Sequence, residues 1–182
     1  MNQKSNLIIP DADVVIHLVK MSVWDRFLDL NQVYLSKTVL EQEVQFCETD
    51  SYHLQSKEYI DLSKDVNTGR IHMVSLAVTD ILPLQSEFSK MKAPQIELGE
   101  IETIAAVYLE YEPGLRACLI ERAAITCAVL AGLEEKCLSV EVALSKCGLS
   151  RTLPQPLTEK RFRSIVSQAK VTRVQYLNTS HK

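Results

Sequence analysis

Apolar residues in this chain fall into short runs of three to five, separated by longer stretches where they recur every three or four positions. A strand period thus alternates with a helical one. Leu7-Ile8-Ile9 runs into Pro10-Asp11-Ala12-Asp13 and then into Val14, Val15, Leu18 and Val19, which predicts a strand, an acidic corner and a helix. The helical pattern continues to Leu30, as one helix or as two broken near Met21-Ser22. Val33–Leu35 predicts a second strand, and Ser36-Lys37-Thr38 starts a helix with Leu40, Val44 and Cys47 on one face and Glu43 beside it. Residues 50–67 are predicted helical, with Thr68-Gly69 as the stop. Ile71–Leu76 is a third strand, and the helix after it best tolerates Pro83 in its first turn. A loop at Lys90–Pro94 precedes the helix Leu98–Tyr108, whose Ile101, Ile104, Ala105 and Tyr108 share a face. A fourth strand at Arg116–Ile120, an Ala-rich helix closing at Gly132, a fifth strand near Lys136–Val140 and a helix to Cys147-Gly148 complete the series.

Strands alternating with helices predict an α/β fold, a three-layer α/β/α sandwich around a central, mostly parallel sheet of about five strands. The expected organisation is one domain over residues 1–150 with a basic helical extension over 151–182, packed on it or projecting from it.

Composition narrows the class. With 182 residues, 46% hydrophobic and 24% charged, the chain buries one core without staples. Its 5 cysteines are widely spaced, with no Cys-x-x-Cys pair, which argues against a zinc site or a disulfide framework and for buried thiols in a reducing compartment. Asp11 and Asp13 interrupt the only early apolar run, and no run is long enough to span a bilayer, so the expectation is a cytoplasmic protein without a membrane partner.

The net charge of −3 is unevenly distributed. From Arg151 onward seven basic residues face one acid, a local +6 that leaves −9 for the rest. Lys160, Arg161, Arg163, Lys170 and Arg173 are therefore candidate nucleic-acid contacts on one exposed surface, against the plainer role of a solvated helix face.

Ligands of parallel α/β sheets sit at the carboxyl ends of the strands. Asp11 and Glu121 each close a strand, and Glu43 and Glu100 border helices that bracket the same edge. Each has an alternative. Asp13 or Asp11 can cap the first helix, Glu41 competes with Glu43, and Glu100 and Glu102 flank their helix on opposite sides so that only one faces the site. Like charges at 4 Å repel by about 4 kcal/mol at an effective dielectric of 20, so four gathered carboxylates call for a cation. Oxygen donors without His or Cys favour Mg²⁺ or Mn²⁺, which activates a water for metal-assisted phosphodiester hydrolysis.

These stretches resemble the PIN-domain family, in particular its prokaryotic branch related to toxin ribonucleases. The family's opening pattern of apolar strand, Asp, small residue, polar residue and apolar helix is similar to Ile8–Ile16, and its helical Glu to Glu43 in Thr38–Val44. The branch's Gly-Glu-x-Glu-x-Ile motif is matched by Gly99-Glu100-Ile101-Glu102-Thr103-Ile104, and the resemblance covers about residues 6–147. It implies a Mg²⁺- or Mn²⁺-dependent ribonuclease whose metal is held by Asp11, Glu43, Glu100 and Glu121, with Asp13 alongside. It also implies an RNA substrate and, in toxin members, restraint by a cognate antitoxin protein. A homodimer is a further expectation.

The chain departs from the branch after the fourth strand, where Asp-Asp-Arg-x-Ala-Arg is replaced by Ile120-Glu121-Arg122-Ala123-Ala124-Ile125. The fold tolerates this more readily than the strict geometry of Mg²⁺ does, which leaves as the alternative a catalytically degenerate PIN-like module that binds a protein partner or nucleic acid without cleaving it. Asp11-Ala12-Asp13 also fits a phosphotransferase corner, but the later Gly-Asp-x-x-x-Asp element of such enzymes is missing.

Overall fold

The structure, a computed structural model, describes residues 6–44, 46–51 and 54–180, with side chains over 6–44 and 59–178. Its centre is a five-stranded sheet of β1 (Leu7–Pro10), β2 (Gln32–Ser36), β5 (Ile71–Val74), β6 (Arg116–Cys118) and β7 (Cys137–Leu138), ordered β5-β2-β1-β6-β7 with every pairing parallel. Parallel strands need helical crossovers, and both faces are covered. Alternate residues divide between the faces as the two-residue strand period requires. Ile8, Val33, Leu35, Cys118 and Leu138 pack against α1 (Ala12–Lys20), α2 (Trp24–Leu30) and α7 (Val140–Lys146). Ile9, Tyr34, Ala117 and Cys137 pack against α4 (Val78–Lys90), α5 (Leu98–Tyr108), α6 (Arg122–Leu130) and α8 (Glu159–Ser180). The chain is a three-layer α/β/α sandwich.

The long first helical pattern is divided into α1 and α2, with Ser22 at φ 55° in the break. Helix α8 is packed on the sandwich: Phe162, Ile165, Val166 and Ala169 are buried in the core beside α6. Among the described residues, no helix is long and apolar enough to cross a membrane. Cys118, Cys127 and Cys137 are free buried thiols, whereas the Cys47 side chain lies outside the described residues.

Three sequence expectations are corrected. The helix expected to carry Leu40, Val44 and Cys47 is a single π-turn, Val39–Glu43, which gives way to strand at residue 46. Residues 50–67 are not one helix: β3 (Phe46–Ser51) and β4 (Leu54–Tyr59) form an antiparallel pair with Phe46 opposite Tyr59, and only α3 (Ser63–Asn67) is helical. Gly69, at φ 72°, still supplies the stop. Pro83 lies inside α4 rather than in its first turn, on the exposed side between buried Ile81 and Leu84, and Thr79, whose carbonyl its missing N–H would bond, is exposed as well.

The topology explains where a site can open. β1 is followed by α1 on one face, and its neighbour β6 is followed by α6 on the other. Helices that leave adjacent strands toward opposite faces part at the carboxyl ends and leave a crevice. Asp11 and Glu121 stand on either side of it.

Candidate active site

The crevice is a cavity of about 530 Å³ lined by Asp11, Ala12, Asp13, Glu43, Gln95, Ile96, Glu97, Glu100, Glu121 and Ala123. All five carboxylates expected from the sequence, including Asp13, border it. The open alternatives resolve as follows. Glu43 faces the cavity, while Glu41 points away and reaches Lys37 at 3.9 Å. Glu100 lines it, while Glu102 is buried and accepts from the Thr38 amide at 3.1 Å. The cap of α1 is Asp11, not Asp13.

Asp11 does more than cap. Its Oδ1 accepts from the Val14 amide at 2.9 Å, and its Oδ2 accepts from the Ile120 amide at 3.2 Å, so the side chain bridges the crevice between β1 and the segment after β6. Asp11 is 2% exposed. Burial pushes its pKa from 3.8 up to about 8, and the charges of Asp13 and Glu100 add to the rise against the lowering effect of the two amides. Ile120 turns its side chain into the core on the α1 face and contributes only its N–H to the site.

Glu43 is carried by the π-turn, a local widening that occurs often at functional sites. Its Oε1 accepts from the Gly99 amide at 3.0 Å, in the first turn of α5. A Cβ at Gly99 would come within 2.6 Å of the Glu43 carboxyl carbon, so only glycine permits this approach. Glu100 Oε2 accepts from the Glu97 amide at 2.9 Å and so closes the start of α5. Burial raises the pKa of Glu43, with Glu97, Glu102 and Asp13 adding repulsion. Burial likewise raises that of Glu100, with Glu97, Glu121 and Asp13 adding to it. Mutual repulsion thus links the acids of the cavity, and among the described residues lining it none is basic.

The fit to a hard divalent cation is one of donor chemistry: every candidate ligand is a carboxylate oxygen, and their repulsion is the condition a cation relieves. The ligands do not form a closed shell, since among the described residues no group of three His, Cys, Asp or Glu side chains is disposed to hold a metal ion. Gln95, Ile96 and Glu97 were not singled out from the sequence. They belong to a loop without periodicity, and the only available signal was its position just before the Gly99-Glu100 turn.

The basic candidates lie elsewhere. At about 100° per residue, Arg161 and Arg173 sit on opposite sides of Lys160, so the five are spread over more than half the circumference of α8 rather than on one surface. Arg163 pairs with Glu159, Lys170 with Glu134 at 3.4 Å, and Arg173 with Glu134 at 3.5 Å, while Arg161 donates to the Pro156 carbonyl at 3.3 Å. Lys160 is exposed and has no ion pair among the described residues. Compared with protein-family models, curated proteins and solved structures, the chain has no match.

Proposed function

We propose that the chain is a PIN-like, metal-dependent ribonuclease that cleaves phosphodiesters at the carboxyl edge of its sheet. The observation that carries this reading is the cavity at the crevice between β1 and β6, where Asp11, Asp13, Glu43, Glu100 and Glu121 converge with no basic side chain among the described lining residues. The resemblance of Ile8–Ile16 and Gly99–Ile104 to the family's motifs supports the same reading. Asp11, Glu43, Glu100 and Glu121 would hold Mg²⁺ or Mn²⁺, with Asp13 beside them. When bound, the ion supplies an activated water and neutralises charge developing on the phosphoryl group.

The chain's own residues perform the remaining work. Asp11 is oriented through the Val14 and Ile120 amides, and Glu43 through Gly99, so both carboxylates are placed before any ligand arrives. Glu121 is exposed at the rim and is free of a capping bond, which gives its longer side chain room to turn inward. With its pKa raised to about 8, Asp11 keeps a proton at neutral pH that a bound cation would displace, and burial raises the pKa of Glu43 as well.

The test is cleavage of a mixed RNA pool by the native chain and by Asp11→Asn, Glu100→Gln and Glu121→Gln, in Mn²⁺ and in chelator, with circular dichroism to confirm folding. The expected result is cleavage that needs Mn²⁺ and is lost in each variant. Cleavage that persists in chelator or in Asp11→Asn overturns the reading. A second reading, a PIN-like module that binds RNA without cutting it, is favoured by buried Ile120 at the position where the branch carries an Asp. Mn²⁺-dependent RNA binding without cleavage, with cleavage gained in the Ile120→Asp, Glu121→Asp double variant, would establish it.

A further inference from the structure

Two hydrogen bonds join α5 to the π-turn, and they run in opposite directions. Glu43, the last residue of the turn, accepts from the Gly99 amide at 3.0 Å. Glu102, one helical turn further along α5, accepts from the amide of Thr38, which precedes the π-turn, at 3.1 Å. One bond fixes a separation, but two at different heights also fix the rotation of one segment against the other. A Cβ at residue 99 would fall on the Glu43 carboxylate, so the glycine is what leaves room for this approach. Glu102 is 8% exposed, a depth at which a carboxylate is retained only where its bonding is satisfied, and it does not line the cavity.

We infer that Glu102 is a positioning residue: by holding Thr38 it fixes the π-turn and thereby sets where the Glu43 carboxylate enters the cavity, without itself touching the ligand. This rests on the reading of the cavity as a cation site. Partners that orient a metal ligand commonly change affinity about 10–100-fold when removed. The residue is the second Glu of the Gly-Glu-x-Glu stretch, and its role follows from its bond to Thr38 rather than from that pattern.

The experiment uses the full chain and reads two quantities, amide exchange at Gly99 in chelator and Mn²⁺ affinity by water-proton relaxation. In Glu102→Ala the Gly99 amide, at the far end of the brace, exchanges roughly tenfold faster, and Mn²⁺ binding weakens by about 10–100-fold. In Glu102→Gln, which keeps an acceptor oxygen for Thr38 but no charge, both quantities stay near native. If Glu102→Ala does not fold, Glu102→Asp, which draws the oxygens back by one methylene, carries the same expectation. Unchanged Gly99 exchange in the shortened variant overturns the inference. So does equal loss of Mn²⁺ affinity in Gln and Ala variants, because that makes Glu102 an electrostatic partner of the ion. If native protein binds no Mn²⁺ while the shortened variant still frees Gly99, the brace stands and the cation-site reading falls.

Discussion

Carboxylates gather at two places in this molecule, and the fold treats them differently. At the start of β5, Arg70 collects three of them: Nη1 donates to Asp25 at 3.0 Å and to Asp65 at 2.8 Å, and Nη2 donates to Asp29 at 3.1 Å and to the Asp25 carbonyl at 3.0 Å. That cluster ties α2 and α3 to the edge strand and carries its own counter-charge. In the crevice between β1 and β6 at least as many acids meet, with backbone amides as their only shown donors and Asp11 driven to a pKa of about 8. Holding like charges together without a counter-charge opposes folding. The difference separates a cluster that holds its own cation from one with no basic side chain among its described lining residues.

The largest expected effect breaks that comparison by offering the cavity a cation. The folded-state pKa of Asp11 lies above its ordinary 3.8, so the folded chain keeps a proton that the unfolded chain releases. Its contribution to stability is therefore full below about pH 4, declines as pH rises toward 8, and is level beyond. The measurement is the melting temperature of native protein relative to Asp11→Asn in chelator, and the native chain should lose ground steadily across that window. Mn²⁺ at a hundredfold excess over its dissociation constant contributes about 2.7 kcal/mol, which raises the native melting temperature at pH 8 by roughly 5–10 °C. Curves for native protein that coincide in Mn²⁺ and chelator would show that the cavity takes no cation.

Removing the internal cation from the other cluster is the next largest effect. Arg70→Ala leaves Asp65, whose side chain is 12% exposed, without its partner, while Asp25 and Asp29 are open to water and lose little. The expected destabilisation is about 2 kcal/mol in urea unfolding. Unlike the cavity, this loss should be insensitive to Mn²⁺. A variant rescued by Mn²⁺ would make the two clusters equivalent.

Much of the difference was legible in the sequence, and the parts that were not have physical reasons. Asp11 was readable because an apolar strand breaks at an acid immediately before a helical pattern, and topology alone then carries it to the sheet edge. Its role as cap was not readable, since Asp11 and Asp13 both suit a helix start and only the bond to the Val14 amide separates them. Glu100 and Glu102 could not be ranked because α5 is buried over the whole span Ile101–Val107, so the helical period has no contrast there. The β3–β4 pair escaped because Glu48, Gln55, Lys57 and Glu58 favour helix as readily as strand, and their pairing is set by backbone partners on the opposite strand. The π-turn is a change of period within five residues, shorter than any window in which periodicity can be measured. The Arg70 cluster depends on residues far apart in sequence, and nothing local marks Asp25 or Asp29 as partners.

Gly99→Ala sharpens the comparison from the side of the cavity. A methyl group there displaces the Glu43 carboxylate, while alanine favours helix by up to about 1 kcal/mol over glycine. The two effects oppose each other in the empty protein, so its stability in chelator should change little. The gain from Mn²⁺ should shrink by about 1–3 kcal/mol, a tenfold to hundredfold loss of affinity. A Mn²⁺ gain equal to that of native protein would remove Glu43 from the site.

The smallest effect concerns α8, where Arg163, Lys170 and Arg173 resemble the Arg70 cluster more than the cavity because neighbouring acids pair with them. Arg163 is held by Glu159, and a guanidinium in such a pair must release its carboxylate before it takes a phosphate. Lys160 on the same helix has no ion pair among the described residues. If α8 contributes to RNA binding, Lys160→Gln should reduce the salt dependence of single-strand affinity by about 0.7 in log–log slope, the loss of one released counterion. Arg163→Gln should leave the slope nearly unchanged, since the phosphate contact it removes is one the native pair already suppresses. Fluorescence anisotropy across a salt series separates the two. Equal reductions in both variants would mean that the Arg163–Glu159 pair opens freely in solution and that pairing does not decide which charges of this helix meet the polyanion.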